Sequence, residues 1–187
     1  CNTHVLIKDY DEVEKLACYI FDFIDNPTSD LEYDILSQAH LSLGLALEGL
    51  GDYVEAINNY DKAYELTLKM SDTSSKYQRL AKYALESGRL NYETGNLEVA
   101  KVVLINGLEH CYYHDFIGCN QMLANLTNKF FKVCFELKDF NSALGVTKNY
   151  LEDKEAGNYD DEPTSDIYSA IFASYIATVY EAMNDPK

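Results

Sequence analysis

The chain has 187 residues, the length of one ordinary domain, and it is strongly acidic: 15 lysines and arginines stand against 31 aspartates and glutamates, a formal net charge of −16. This balance argues against a surface that binds nucleic acid or an anionic membrane through its overall field. Hydrophobic residues make up 47% of the sequence, which excludes a disordered acidic tail, and no apolar run approaches the roughly 20 residues of a membrane helix.

Long segments with apolar residues at helical spacing predict eight helices. In chain order these are residues 9–25, 30–50, 52–70, 74–94, 96–113, 117–137, 139–154 and 165–183. Two start signals fit the capping box, in which a Ser or Thr pairs with a Glu or Gln three residues later: Ser29 with Glu32, and Ser75 with Gln78. The tetrapeptide Pro-Thr-Ser-Asp occurs twice and precedes or opens a long helix each time. The predicted fold class is all-α.

A six-residue turn motif recurs at nearly constant intervals along the chain. It begins at Gly51, Gly95 and Lys138, with an earlier copy at Lys8 and a fainter return at Asn184, so the first four starts are 43, 44 and 43 residues apart. In each full copy an Asp or Asn follows the first residue and can cap a helix start. Internal repeats of this length indicate stacked helical hairpins.

The residues at the repeat positions resemble those of a tetratricopeptide repeat. The first full unit has Leu43-Gly44, Gly51-Asp52-Tyr53, Ala56, Tyr60 and Ala63 at that spacing, and the second has Gly88, Gly95, Ala100, Leu104 and Gly107. We expect the small residues Gly44, Gly88, Ala56 and Ala100 where the two helices of a hairpin approach closely. The third unit has Phe131 where the pattern wants Gly and Tyr150 where it wants Ala, so that hairpin should be splayed or shifted. The resemblance implies a right-handed α-α superhelix.

The resemblance covers nearly the whole chain and predicts a single repeat domain over residues 1–187. It divides into a half-repeat 1–29, repeats 30–73, 74–115 and 116–162, and a half-repeat 163–187. Each repeat of a solenoid buries its face on its neighbour, so an end needs a polar cap. Either the chain is part of a longer array or the half-repeats cap it, and we favour the longer protein. Terminal repeats are also a possible site of homo-oligomer formation.

Enzyme signatures are absent from the sequence. There is no Gly-rich phosphate loop, nucleophile elbow or His-Glu-x-x-His motif, which predicts a non-enzymatic protein without a cofactor. The most metal-like stretch contains His110, Cys111 and His114 and is followed by Cys119; the spacing of the two histidines fits a zinc site. The alternative, which we favour, is a corner between repeats with histidines at a helix C-terminus and no metal.

The five cysteines indicate a reducing compartment. They are Cys1, Cys18, Cys111, Cys119 and Cys134. Four fall within or at the ends of predicted helices, where a free cysteine behaves as a small hydrophobic residue. We therefore predict reduced thiols and a cytoplasmic protein. The competing hypothesis is a surface lipoprotein acylated on its first cysteine, but a chain that starts at Cys without an initiator Met is more simply a fragment.

The candidate binding site is a polar stripe on two predicted helices, each at i, i+3/i+4, i+7 spacing. On residues 74–94 it consists of Lys82, Glu86, Arg89, Tyr92 and Glu93, and on residues 117–137 of Asn125, Asn128, Lys129, Lys132, Phe135 and Glu136. Asn can hold the backbone of an extended peptide, Lys and Arg its carboxylates, and aromatic rings its apolar side chains. The alternative is a solvated face on which Lys82 pairs with Glu86 and Lys132 with Glu136 along the helix.

The repeat of 43–44 residues is longer than the common 34-residue unit and is similar to the array of bacterial peptide-pheromone receptors of the Rap and PlcR type. That resemblance implies a short peptide held by inner-face Asn residues, a role in quorum sensing and, in the regulator branch, a helix-turn-helix domain before the array. The chaperone-binding class fits less well, because Leu41 and Leu45 stand where its carboxylate clamp needs Lys and Asn. A static adaptor that holds a protein partner is the alternative function.

Overall fold

A computed structural model describes residues 2–114, 116, 118–155 and 163–184. Its helices are α1 (Asn2–Phe23), α2 (Asp30–Leu50), α3 (Tyr53–Leu68), α4 (Ser74–Glu93), α5 (Leu97–Tyr113), α6 (Cys119–Glu136), α7 (Phe140–Glu155) and α8 (Pro163–Asn184). The described part of the chain contains no strand, which confirms the all-α class, and each of the eight predicted helices is present. None of these helices combines the length and the apolarity of a membrane span over the described residues.

The start of α1 differs from the prediction. The helix begins at Asn2 instead of residue 9, so the early copy of the turn motif at Lys8 lies inside a helix and not at a turn. The sequence before Pro27 contains no glycine or proline, so nothing interrupts the helix at that point. The fainter return at the other end begins with Asn184, the last residue of α8, and its remainder lies outside the described residues.

The helix starts confirm one predicted capping box and correct the other. Ser29 and Glu32 bond reciprocally, as the prediction requires. Ser75 was the other predicted cap, but helix α4 begins one residue earlier, at Ser74. Its N-cap is Thr73, which has an extended backbone and whose hydroxyl accepts a hydrogen bond from the Lys76 amide at 3.2 Å.

Each of the three turn motifs at residues 51, 95 and 138 ends its helix in the same way. Gly51, Gly95 and Lys138 have left-handed backbones with φ of 84°, 83° and 58°. The amide of the next residue donates back to a carbonyl five residues earlier, as from Asp52 to Leu47 at 3.0 Å. This is the Schellman arrangement, which satisfies the last carbonyls of the helix and turns the chain sharply. The second helix of each pair can then fold back on the first.

The polar residue after each turn was predicted to cap the following helix, and two of three do so. The Asp52 carboxylate accepts from the Glu55 amide at 3.3 Å, and the Asp139 carboxylate accepts from the Ser142 amide at 3.2 Å. Asn96 was predicted to act in the same way, but its side chain donates to the Thr94 hydroxyl at 3.1 Å and caps nothing.

The small residues lie where the paired helices approach most closely, as predicted. A Cβ atom built on Gly44 would lie 2.6 Å from the Tyr60 ring, and one built on Gly88 would lie 2.6 Å from the Leu104 side chain. Ala56 and Ala100, on the opposite helices, are completely buried. The α2–α3 and α4–α5 pairs are therefore close-packed hairpins.

The third pair, α6 and α7, packs less closely than the other two. Phe131 stands where the first two pairs have glycine, and its ring stacks on Tyr175 of α8 at a centroid distance of 4.0 Å. Tyr150 meets the edge of Phe172 of α8 at 4.8 Å. The bulky side chains that separate α6 from α7 thus form a shared core with α8.

Helices that are neighbours in sequence pack on one another throughout the described chain, and α6 also contacts both α4 and α8. One core cluster joins α2, α3 and α4 through residues such as Tyr60 and Leu90. A larger one runs from α4 to α8 and includes Leu104, Leu126 and Phe172. The first helices of the repeats, α2, α4, α6 and α8, therefore follow one another along the molecule.

The left-handed backbone at Lys138 generates a prediction about stability. This conformation costs a residue other than glycine about 1–2 kcal/mol. Lys138→Gly removes that cost and gains some freedom in the unfolded chain, so we expect the free energy of unfolding to rise by about 0.5–1 kcal/mol in urea denaturation. The matched control is Gly95→Lys, at a position with no neighbouring atom within 4 Å of a Cβ. It should lower the same free energy by about 1 kcal/mol. Equal stability of Lys138→Gly and the wild type would contradict this account of the turn.

Candidate functional site

The stripe predicted from the sequence lies on α4 and α6, and its residues face the neighbouring first helices. We call the surface formed by the exposed and half-buried side chains of α2, α4, α6 and α8 the first-helix face. Four of the predicted binding residues on it, Arg89, Tyr92, Asn125 and Asn128, already bond to a residue of a neighbouring repeat. The sequence analysis did not predict these bonds, and they change what each side chain can offer a ligand.

Two asparagines of α6, Asn125 and Asn128, are bonded to tyrosines of α8. The Tyr168 hydroxyl donates to the Asn125 Oδ1 at 2.6 Å, and the Tyr175 hydroxyl donates to the Asn128 Oδ1 at 2.8 Å. Gln121 donates to the same Asn125 oxygen at 3.4 Å and to the Tyr168 hydroxyl at 3.2 Å. The amide oxygens are thus occupied, while the Nδ2 groups of both asparagines make no hydrogen bond with a described residue.

Arg89 of α4 is surrounded by carboxylates. Its guanidinium contacts Glu48 of α2 at 2.7 Å, Glu86 at 3.0 Å and Glu93 at 3.1 Å. The Tyr60 hydroxyl also donates to Glu48, at 2.8 Å. Burial opposes ionisation of Glu48, but hydrogen bonds from Arg89 and Tyr60 outweigh it and hold the pKa of Glu48 below its usual value. Arg89 therefore neutralises the protein's own acids and joins α2 to α4.

Tyr92 of α4 donates a short hydrogen bond to Glu136 of α6. That bond, together with burial, raises the pKa of Tyr92 to about 12, so the hydroxyl stays protonated and remains a donor at neutral pH. Glu136 is consequently not paired with Lys132, and Glu86, which binds Arg89, is not paired with Lys82. The two intrahelical ion pairs that the solvated-face alternative required are absent among the described residues.

Three lysines of the stripe lack an ion-pair partner among the described residues. Lys82, Lys129 and Lys132 make no ion pair with any residue in the described ranges. Lys129 is half-buried, and burial lowers its pKa because it penalises the charged form. A chain of net charge −16 thus keeps a group of unpaired cations on the first-helix face.

Phe135 is half-buried and packs against Phe131 and Phe140, at centroid distances of 5.8 and 5.7 Å. Only part of its ring is accessible, so the residue joins the core between α6 and α7 to the first-helix face. It offers a ligand less than its full ring.

The bonds that join successive first helices form a series, which we call the cross-repeat ladder. Its pairs are Asp34–Arg79, Ser37–Tyr83, Glu48–Arg89, Tyr92–Glu136, Asn125–Tyr168 and Asn128–Tyr175. The partners lie 41 to 47 residues apart, which is close to one repeat. Sequence analysis missed Tyr168, Tyr175 and Glu48 as members of the site, and pairing polar residues one repeat apart would have found them.

The metal-like stretch forms a corner between repeats. The Tyr64 hydroxyl and the His110 Nε2 are 2.8 Å apart, and the Tyr77 ring stacks on His114 at 3.3 Å. The Cys119 thiol lies 3.3 Å from the Cys111 carbonyl. No group of three or more His, Cys, Asp or Glu in the described chain is placed to hold a metal. Both histidines are used in contacts with tyrosines of neighbouring helices.

The Asn128–Tyr175 bond predicts a measurable loss when its donor is removed. Tyr175→Phe keeps the ring that stacks on Phe131 and deletes only the hydroxyl. We expect the free energy of unfolding to fall by about 0.5–1.5 kcal/mol, the usual contribution of one hydrogen bond, in chemical denaturation. The control is Tyr19→Phe, because Tyr19 is 66% exposed and its hydroxyl bonds to no described residue. An equal effect of the two substitutions would contradict a stabilising role for the ladder.

The His110 corner predicts a dependence of stability on pH. Burial lowers the pKa of His110, since the charged ring is poorly solvated there, and the nearby charges of His114 and Lys76 act in the same direction. The unfolded chain therefore takes up the proton first, and stability should decline as pH falls below about 6.5. His110→Gln removes this contribution. The urea midpoints of wild type and variant are measured at pH 8 and at pH 5.5. Between these two pH values the midpoint of the wild type should fall by more than that of the variant. An equal fall in both proteins would contradict the role assigned to His110.

Comparison with protein-family models gives no match for this chain, and comparison with curated proteins gives none either. The assignment of a function therefore rests on the geometry of the first-helix face and on the pattern of the repeats.

Proposed function

We propose that this chain is a non-enzymatic scaffold whose tetratricopeptide-like hairpins stack into a right-handed superhelix, and that it binds an extended peptide or a partner's tail along the concave first-helix face. Three features support the stacking: a period of 43–44 residues, glycine at the close approach of two hairpins, and contacts of α6 with both α4 and α8. In this arrangement the first helices line one continuous surface.

The observation that carries the proposal is that Lys129 and Lys132, which have no ion-pair partner within the described ranges, share α6 with Asn125 and Asn128, while Lys82 is likewise unpaired on α4. These lysines attract a ligand carboxylate, and the low affinity of each charge is multiplied when several act on one ligand. The Nδ2 groups of Asn125 and Asn128 donate to peptide carbonyls. Together these groups fit an extended, acidic peptide better than a compact apolar ligand.

The cross-repeat ladder favours a regulator that changes state over a static adaptor. A peptide amide that donates to the Oδ1 of Asn128 shares this acceptor with the Tyr175 hydroxyl, so we expect binding to move the Asn128 side chain away from its optimal position for Tyr175. Binding would then weaken one connection between α6 and α8. We therefore favour the ligand-sensing region of a cytoplasmic bacterial transcriptional regulator, of the kind that detects a peptide signal, with a static adaptor as the alternative.

A screen of short random peptides followed by calorimetry tests the proposal. Selected peptides should be rich in Asp and Glu. Asn128→Ala should weaken their binding by about 1–3 kcal/mol by leaving peptide groups unpaired. Lys132→Glu should weaken acidic peptides more than neutral ones, and less so at high salt. The matched control is Lys15→Glu, which makes the same charge change on the exposed side of α1.

Two results would contradict the proposal: recovery of no peptide above background, or peptides that bind both site variants with wild-type affinity. Hydrogen exchange separates regulator from adaptor. A regulator should lose amide protection in α8 when a selected peptide binds, whereas a static adaptor should keep it.

A further inference from the structure

The solvent side of α5 carries an apolar stripe that the fold does not explain. The helix buries one side against α4 and α6, through Ala100, Leu104, Gly107, Leu108 and Cys111. On its other sides Val99, Val102 and Ile105 are 53%, 59% and 43% exposed. Glu98 lies one helical turn before Val102, and Glu109 lies one turn after Ile105.

The equivalent helices of the neighbouring repeats show that this stripe is not required by the repeat. Positions 44 residues earlier, on α3, hold Glu55, Asn58 and Asp61 in place of Val99, Val102 and Ile105. Positions 43 residues later, on α7, hold Ser142, Gly145 and Lys148. Neither neighbour has an aliphatic side chain there. A group of exposed aliphatic residues that only one of three equivalent helices carries is typical of an interaction surface.

Carboxylates border the stripe on several sides. Glu98 and Glu109 are exposed and make no ion pair with a residue in the described segments. Beside the stripe, a cleft of about 330 Å³ opens between α3 and α5, lined by Leu68, Val103 and Asn106 together with Asp61 and Glu65. An apolar centre with an acidic border is complementary to a segment that has an apolar centre and a basic border.

We infer that the α5 stripe docks an amphipathic helix of a partner protein whose apolar side is bordered by Lys or Arg. Val99, Val102 and Ile105 contact the apolar side of that helix, and its basic residues pair with Glu98 and Glu109 and enter the α3–α5 cleft. A second copy of this chain fits less well, because it would bring the same carboxylates together between two molecules of net charge −16. The inference concerns a different surface from the first-helix face and does not depend on it.

The test uses a defined probe, a fluorescein-labelled amphipathic peptide of about five helical turns with a leucine stripe bordered by lysines. Its matched partner carries glutamates in place of the lysines. Binding to the full chain is followed by fluorescence anisotropy. The site variant is Val102→Asn with Ile105→Asp, which introduces the residues that α3 carries at these positions. Val102→Asn alone is a milder second variant, and Val54→Asn, at a 69% exposed position of α3, is the control.

We expect the lysine-bordered peptide to bind the wild type and the Val54→Asn control with equal affinity. It should bind the double variant at least about tenfold more weakly. Charge alone predicts the opposite, because the double variant is more acidic and attracts cations more strongly. The glutamate-bordered peptide should not bind. Equal binding to wild type and both site variants, no binding to the wild type, or equal binding of the two peptides would overturn the inference. So would a dimer in sedimentation velocity that the site variants abolish, because it would assign the stripe to a second copy.

Discussion

Each helical hairpin of this chain buries its apolar side against the next hairpin, and every other feature of the molecule depends on that relation. A single pair such as α2 and α3 has a close interior at Gly44 and Tyr60 but needs α4 to cover its remaining apolar surface. Apolar contact stabilises this stacking but does not specify one relative position, because the hydrophobic effect is not directional. Something else has to fix the offset between successive repeats.

The cross-repeat ladder fixes that offset. A hydrogen bond or ion pair requires particular atoms within about 3 Å, so bonds such as Asn125–Tyr168 and Arg89–Glu48 are satisfied at only one offset of neighbouring helices. Such a bond contributes only about 0.5–1.5 kcal/mol to net stability, or up to about 3 kcal/mol where a charged group takes part, whereas a displaced repeat would leave several half-buried polar groups without partners. The polar groups of the first-helix face therefore determine the relative position of neighbouring helices more than they add to the total stability of the fold.

The helices could be predicted from the sequence because helical periodicity and turn residues are local signals. Gly51 and Gly95 identified two turns, and the third was found from Lys138 by its distance from them. The partners of the binding residues could not be predicted in the same way. Asn128 has an amide that suits a peptide, and nothing within its own helix shows that Tyr175, 47 residues later, already bonds to it. The repeat pattern failed at α1, where it suggested a turn that no glycine or proline enforces.

Helix α5 carries one proposed surface and packs on two of the helices that carry the other. This helix packs on both α4 and α6, whose offset is fixed in part by the bond from Tyr92 to Glu136. A ligand on the first-helix face that displaced this bond would allow α4 and α6 to shift, and α5 would have to follow because its buried side contacts both. The cleft between α3 and α5 would then change width, since α3 is held to α4 by contacts such as that between Asp61 and Ser87 at 2.7 Å. If the two surfaces are coupled in this way, occupation of either one alters binding at the other to the same degree, because linkage between two binding equilibria is reciprocal.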